Sequence, residues 1–176
     1  MHTTNLAGLY DLPAIRWERV RDRLDAGITQ APGTGGPDHH AVWLSTVNPD
    51  GTPHVTAVGV EWQDGGFWFT SGLGTRKGRN LQRDGRCTIA VGLTGVDVVL
   101  EGTAALVTDP ATVERVATIY QGEGWPARPD DSGQALTAPF NAPSAGPAPW
   151  HVFRFTPTSA TAVLGEEPGG ATRWTF

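Results

Sequence analysis

FWFTSGLGTRKGRNLQRDGRCTIAV, residues 67–91, is the stretch whose reading decides the fold. Phe67, Trp68, Phe69, Thr70 and Ser71 have the aromatic and β-branched character of a strand. Glycines 72 and 74 break that strand, a short polar helix follows, and a second apolar strand begins at Cys87. The hydroxyls of Ser71 and Thr75 and the cations of Arg76 and Lys77 gather where the helix begins. A helix start offers unpaired N–H groups and a positive dipole end, so it attracts anions. A forked guanidinium and an ammonium added there make a phosphate seat. A basic helix facing water is the competing reading. A serine, a threonine, two glycines and two cations within seven residues of one strand-to-helix junction set the two readings level.

Outward from this stretch the pattern is that of strands. Residues 39–47 and 52–62 flank Asn48-Pro49-Asp50-Gly51, a turn sequence. Gln63-Asp64-Gly65-Gly66 makes a second tight turn into Phe67, so the chain meanders antiparallel. Residues 96–107 form a long valine-rich strand. Asp109-Pro110 then opens a helix with a capping residue and a first-turn proline, and Val113, Val116, Ala117 and Tyr120 share one face of it. Residues 121–149 carry six prolines and four glycines; a loop of this length is a lid, a pocket wall or an interface arm. Strand character resumes at 150–155, 159–164 and 172–176.

Toward the N-terminus, residues 13–26 read as a helix with Trp17, Val20 and Leu24 on one side, Arg16, Arg19 and Arg23 facing water, and Gly27 at its stop. Residues 31–37 are a flexible connector. The expectation is one domain: an N-terminal helix and connector over 1–37 and a β-domain over 38–176. The class is mainly β (α+β), and six to seven strands with short flanking helices indicate a small closed or nearly closed antiparallel barrel.

The 176 residues, 39% hydrophobic and 18% charged, suffice for a core. No apolar run is long enough to span a bilayer, and no secretory signal is visible. A single cysteine, Cys87, excludes an internal disulfide and fits a reducing cytoplasm. Net charge −5 argues against nucleic-acid binding; stacking of bases on Trp68 and other aromatics is a minor reading. His2, His39, His40, His54 and His151 show no metal-site spacing. Gly72-Leu73-Gly74 with Gly78 misses the dinucleotide fingerprint by one place. Asp97 and Glu101 face one side of a strand as solvated carboxylates. No nucleophile or acid–base pair is evident, so demanding chemistry requires a bound cofactor.

Residues 67–70, Thr75-Arg76-Lys77, Asn80-Leu81 and Arg83-Asp84-Gly85-Arg86 resemble the cofactor-phosphate segment of the pyridoxamine 5′-phosphate oxidase-like superfamily, split β-barrel flavin and deazaflavin oxidoreductases. The hairpin around NPDGTPH resembles its opening strands, VDVVLEGTAALV a later strand, and VFRFTPTSATAV with the terminal TRW its deazaflavin branch. The likeness spans residues 38–176. It implies that Arg76 and Lys77 bind the cofactor phosphate with hydrogen bonds from Ser71, Thr75 and Asn80. It also places Thr70 in the cofactor segment, and Thr56 and Val58 along the ring. His54 contacts ligand or packs. Arg173 and Trp174 approach from the C-terminus across a dimer interface, Trp174 having the alternative of a barrel-closing aromatic. The second strand, PHVTAVGV, lacks the cations of true vitamin B6 oxidases, so pyridoxamine phosphate is not the expected substrate.

The resemblance therefore implies a homodimeric oxidoreductase. It would move a hydride between reduced deazaflavin coenzyme F(420) and an unsaturated or quinone-like small organic acceptor. Arg79 and Arg83 would meet the coenzyme's anionic tail. FMN on the same barrel is the alternative cofactor, and a non-catalytic flavin-type carrier or sensor the alternative role.

Overall fold

The computed structural model describes residues 1–28, 42–142 and 145–176. The expected connector over 31–37, the start of the strand at His39, the His39–His40 pair and the boundary at 37/38 lie outside the described residues.

The barrel strands follow one another as the turn chemistry requires. β2 (Val42–Val47) and β3 (Pro53–Ala57) form a hairpin, closed by Asn48 N–H to Thr52 O at 2.8 Å and by Gly51 at φ 84°. β4 (Val60–Gln63) and β5 (Gly66–Ser71) are joined through Asp64 and Gly65, both at positive φ, the two-residue turn whose twist suits a hairpin. After α2 (Arg76–Arg83) come β6 (Arg86–Leu93) and β7 (Val96–Val107), then α3 (Pro110–Gly122). Asp109 caps α3 by accepting from Thr112 N–H at 2.8 Å, with Pro110 in the first turn.

The sheet is split along its longest strand, β10 (His151–Leu164). One edge of β10 pairs with β7 along almost its whole length. Its other edge is shared between β5, opposite residues 151–155, and β11 (Ala171–Thr175), opposite residues 159–163. The register shifts between Pro157 and Ser159, and Pro157 sits where its missing N–H leaves no gap in a regular ladder. Gly102 faces this bulge. A Cβ there would lie 2.1 Å from Thr156 O, so only glycine lets β7 pass so close. Every pairing is antiparallel.

Two expectations are revised. The strand foreseen over 52–62 breaks at Val58-Gly59, because β3 pairs with β2 while β4 must leave it to pair with β5. The two ends of the sheet are thus consecutive segments of one chain, and no ladder joins them among the described residues. The barrel is split, as the resemblance implied. In addition, His2–Asn5 forms β1, an unforeseen strand on β11. The main sheet counts nine strands; seven of them (β2–β7 and β10) make the barrel, and β1 and β11 extend it.

Phe67, Phe69, Phe153 and Phe155 fill the barrel, with Phe69 and Phe153 stacked at 5.4 Å between centroids. α1 (Trp17–Asp25) closes over this core with Val20 and Leu24, and Trp62 Nε1 donates to Asp25 Oδ1 at 2.8 Å. The helix starts later than position 13, because Ile15 N–H is held by Thr172 Oγ1 at 2.8 Å in an extended lead-in. A second cluster covers the outer face of β5 and β10. Trp68 and Val152 meet Val113, Val116, Ala117 and Tyr120 of α3 there. Much of the stretch 121–149 packs on the same cluster: Ala127 and Leu136 are buried in it, and the small hairpin β8 (Arg128–Pro129) and β9 (Leu136–Thr137) belongs to this stretch.

Candidate cofactor site at the capped start of α2

Thr75 holds the junction between β5 and α2 together. Its Oγ1 accepts from Gly78 N–H at 3.1 Å and lies 2.8 Å from both Ser71 Oγ and Gly72 O. This is an N-cap with a hydroxyl network behind it. Gly78 packs so tightly on the turn that a Cβ would lie 2.3 Å from Gly72 O. The backbone N–H groups of Arg76 and Lys77, the first two of the helix, have no partner among the described residues. With the dipole end they make a candidate anion site.

The basic run divides into two groups. Arg79 donates to Gly74 O and Arg83 to Val47 O, and Arg86 pairs with Asp84 at 2.7 Å. Arg76 and Lys77, by contrast, make no hydrogen bond or ion pair with any described residue. Arg76 is exposed, and Lys77 is 9% exposed. Burial without a counter-ion holds the Lys77 ammonium below its ordinary pKa. An unpaired buried cation is unfavourable, and an incoming anion removes the penalty.

Of the other residues singled out in the sequence, Ser71 joins the seat through Thr75. His54 and Thr56 sit on the half-buried side of β3, alternating with exposed Val55 and Ala57. Val58 lies just past the strand, against the barrel core. Thr70 turns to the face opposite Ser71, paired with Val152 of the second cluster. Asn80 lies under α2. Its amide donates to Thr46 Oγ1 and to Asn48 Oδ1, each at 3.1 Å, so both protons are engaged in anchoring the helix to β2 and its turn. Trp174 is 1% exposed and lies 5.3 Å from the Trp17 ring in the core. Arg173 pairs with Glu101 at 2.9 Å on the outer sheet face. There β10, β7, β6 and β2 separate it from β3, so one chain alone does not bring it to α2.

Sequence reasoning missed Thr46, buried beneath Asn80. Its only sign is a threonine on the core-facing alternation of β2. Among the described residues no three His, Cys, Asp or Glu side chains are grouped to hold a metal ion, and no helix is long and apolar enough to cross a membrane. Cys87 is buried and its thiol pushed up to about 12, chiefly by desolvation. It is a packing group, not a nucleophile.

A family model described as pyridoxamine 5′-phosphate oxidase matches residues 35–163; the chain belongs to that family. No curated protein matches it. Among solved structures, a protein related to general stress protein 26 from Clostridium acetobutylicum aligns with a TM-score of 0.56 at 14% identity, over 90% of this chain and 93% of its own. A pyridoxamine 5′-phosphate oxidase-related, FMN-binding protein from Nostoc punctiforme aligns at 0.52 and 15%, over 74% and 78%. A structure described as an F420 reductase aligns at 0.47 and 23%, over 68% and 87%. The first two share the fold.

Proposed function

We propose that this protein is an oxidoreductase that holds a phosphate-bearing, flavin-type cofactor at the start of α2 and acts on a small organic substrate. One observation carries the reading. Of the five cations in residues 76–86, the two that no acceptor among the described residues engages, Arg76 and Lys77, stand at the first two positions of a capped helix, beside two N–H groups without a partner among those residues. A flavin-type cofactor bound there supplies hydride chemistry. Arg76, Lys77 and the helix start bind and orient its phosphate, while Thr56 and Val58 offer a small, uncharged wall along β3.

Deazaflavin coenzyme F(420), with an unsaturated or quinone-like acceptor, is the specific proposal, and it rests on the resemblance of TRKGRNL and the terminal TRW. FMN is the second reading. It is favoured by Arg79 and Arg83, the cations offered for the deazaflavin tail, which are already engaged by the Gly74 and Val47 carbonyls. Fluorescence titration of the apo-protein with both cofactors decides between them. The expected result is micromolar or tighter binding of deazaflavin, with FMN weaker. FMN binding tenfold tighter installs the second reading, and binding of neither rejects the function.

We propose further a homodimer, working in the cytoplasm. The outer sheet face carries Val55 and Ala57, Trp43, Val99 and Val163 on adjoining strands, and their exposure of 39–56% for the large ones leaves an apolar band. A two-fold partner covering this band would bury it.

A further inference from the structure

His54 is coupled to the α2 seat through β2. It pairs with Thr46 across the β2–β3 ladder, and Thr46 Oγ1 is the atom to which Asn80 donates. Asn80 follows Lys77 by three residues and Arg76 by four, so all three share one side of the helix. The side of α2 that carries its two unengaged cations is thus the side anchored to β2, and the charges of both act on His54. The His54 ring is half-buried, and among the described residues neither ring nitrogen has a hydrogen-bond partner. Burial, then Arg76, then Lys77 hold its pKa below the ordinary imidazole value. The remaining charged groups facing this corner are Asp50, in the hairpin turn and held by Thr52, and Arg83, bonded to Val47 O.

We propose that His54 is a proton-dependent third donor of the phosphate seat, taking up one proton when a doubly charged oxyanion enters beside Arg76 and Lys77. The proposal rests on the reading of α2 as a phosphate seat and names its preferred charge state. In the empty seat two cations oppose a third, which disfavours the charged ring. An entering dianion offsets both cations and gives the imidazolium an acceptor, which reverses the balance. A phosphate monoester satisfies all three donors; a phosphodiester, with one charge, gains less from the third. The sign of the pH effect follows. Below the free ring's pKa the proton is already present and affinity is highest. As pH rises from there to the pKa of the bound ring, each binding event must capture a proton, and affinity falls by up to about tenfold per pH unit.

The test is an NMR titration of the histidine ring protons with and without sulfate, an oxyanion that does not titrate near neutral pH. The His54→Gln variant assigns the resonance. Sulfate should raise the His54 pKa by about one unit or more. Sulfate affinity should fall several-fold between about pH 6 and about pH 8 in the native protein, and stay level in His54→Gln. FMN binding, measured in parallel, checks the seat itself. If FMN and sulfate bind while the His54 pKa stays put, the proton-linked role is overturned and the seat survives. If neither binds, the seat falls and this role with it. The native titration stands alone should the variant fail to fold.

Discussion

Residue by residue, what distinguishes the cations proposed to bind cofactor is the partner each side chain already has. Arg83 reaches Val47 O, and Arg76 has no partner among the described residues. Arg76→Ala should therefore weaken cofactor affinity about ten- to a hundredfold, because a charge-assisted hydrogen bond contributes roughly 1.5–3 kcal/mol. Arg83→Ala should change affinity by less than about twofold, as for ordinary surface changes, and act on the packing of α2 against β2. Lys77→Met makes the sharper contrast. It keeps the stem and removes a buried, unpaired charge, so the apo-protein should melt at a higher temperature while binding the cofactor several-fold more weakly. Dissociation constants at one ionic strength, with melting curves of the apo-proteins, check all three. Equal losses of affinity would mean a diffuse basic patch in place of a seat.

At the scale of the element, α2 is held by a cap and one buried amide. Asn80→Ala would leave Thr46 and Asn48 without their shared donor beneath the helix, at a cost of about 1–3 kcal/mol. Gly78→Ala places a methyl 2.3 Å from a backbone carbonyl, which flexible side-chain motion cannot relieve. The β5–α2 turn must open, and the seat loses its shape. Both variants should lower the denaturation midpoint. Gly78→Ala should also abolish cofactor binding at temperatures where the barrel remains folded, as read by circular dichroism alongside the titration. Unchanged affinity in Gly78→Ala would show that the turn does not shape the site.

Over the whole molecule, two features lie away from the seat. Trp43, half exposed at the middle of the outer apolar band, should anchor the proposed dimer. Trp43→Glu should shift light scattering from twice the 18.7 kDa chain mass to that mass alone, whereas a native protein already monomeric at micromolar concentration would refute the interface. Glu61, on β4 beside Trp68, is raised from its ordinary value of 4.5 to about 7, first by burial and then by Glu123. Between these two values the folded chain keeps a proton that the unfolded chain releases, so stability falls as pH rises from about 4.5 to about 7 and is level above. Allowing for solvent at this half-buried site, the loss is about 1 kcal/mol. Thermal melts at about pH 5 and about pH 8 should show it in the native protein and not in Glu61→Gln.

The local chemistry of this chain was legible before any fold was known. The helix start after Gly74, Asp109-Pro110 as a second helix start, Asp64-Gly65 as a hairpin turn and the apolar face of α3 all express interactions between residues a few positions apart, and such interactions are written in spacing. The proposed phosphate seat draws on the same kind of signal, since its residues lie within one strand-to-helix junction. What spacing could not reveal were contacts between distant segments. That Asn80 finds its acceptors in Thr46 and Asn48, and that Trp174 packs against Trp17 of α1, appear only once the segments are brought together. The break at Val58-Gly59 belongs to the same class, because a strand divides when its two halves find different partners, and partners are chosen by the sheet. Engagement of Arg83 was likewise a tertiary decision, for its acceptor is the backbone carbonyl of Val47 on a distant strand, a group that any residue type presents.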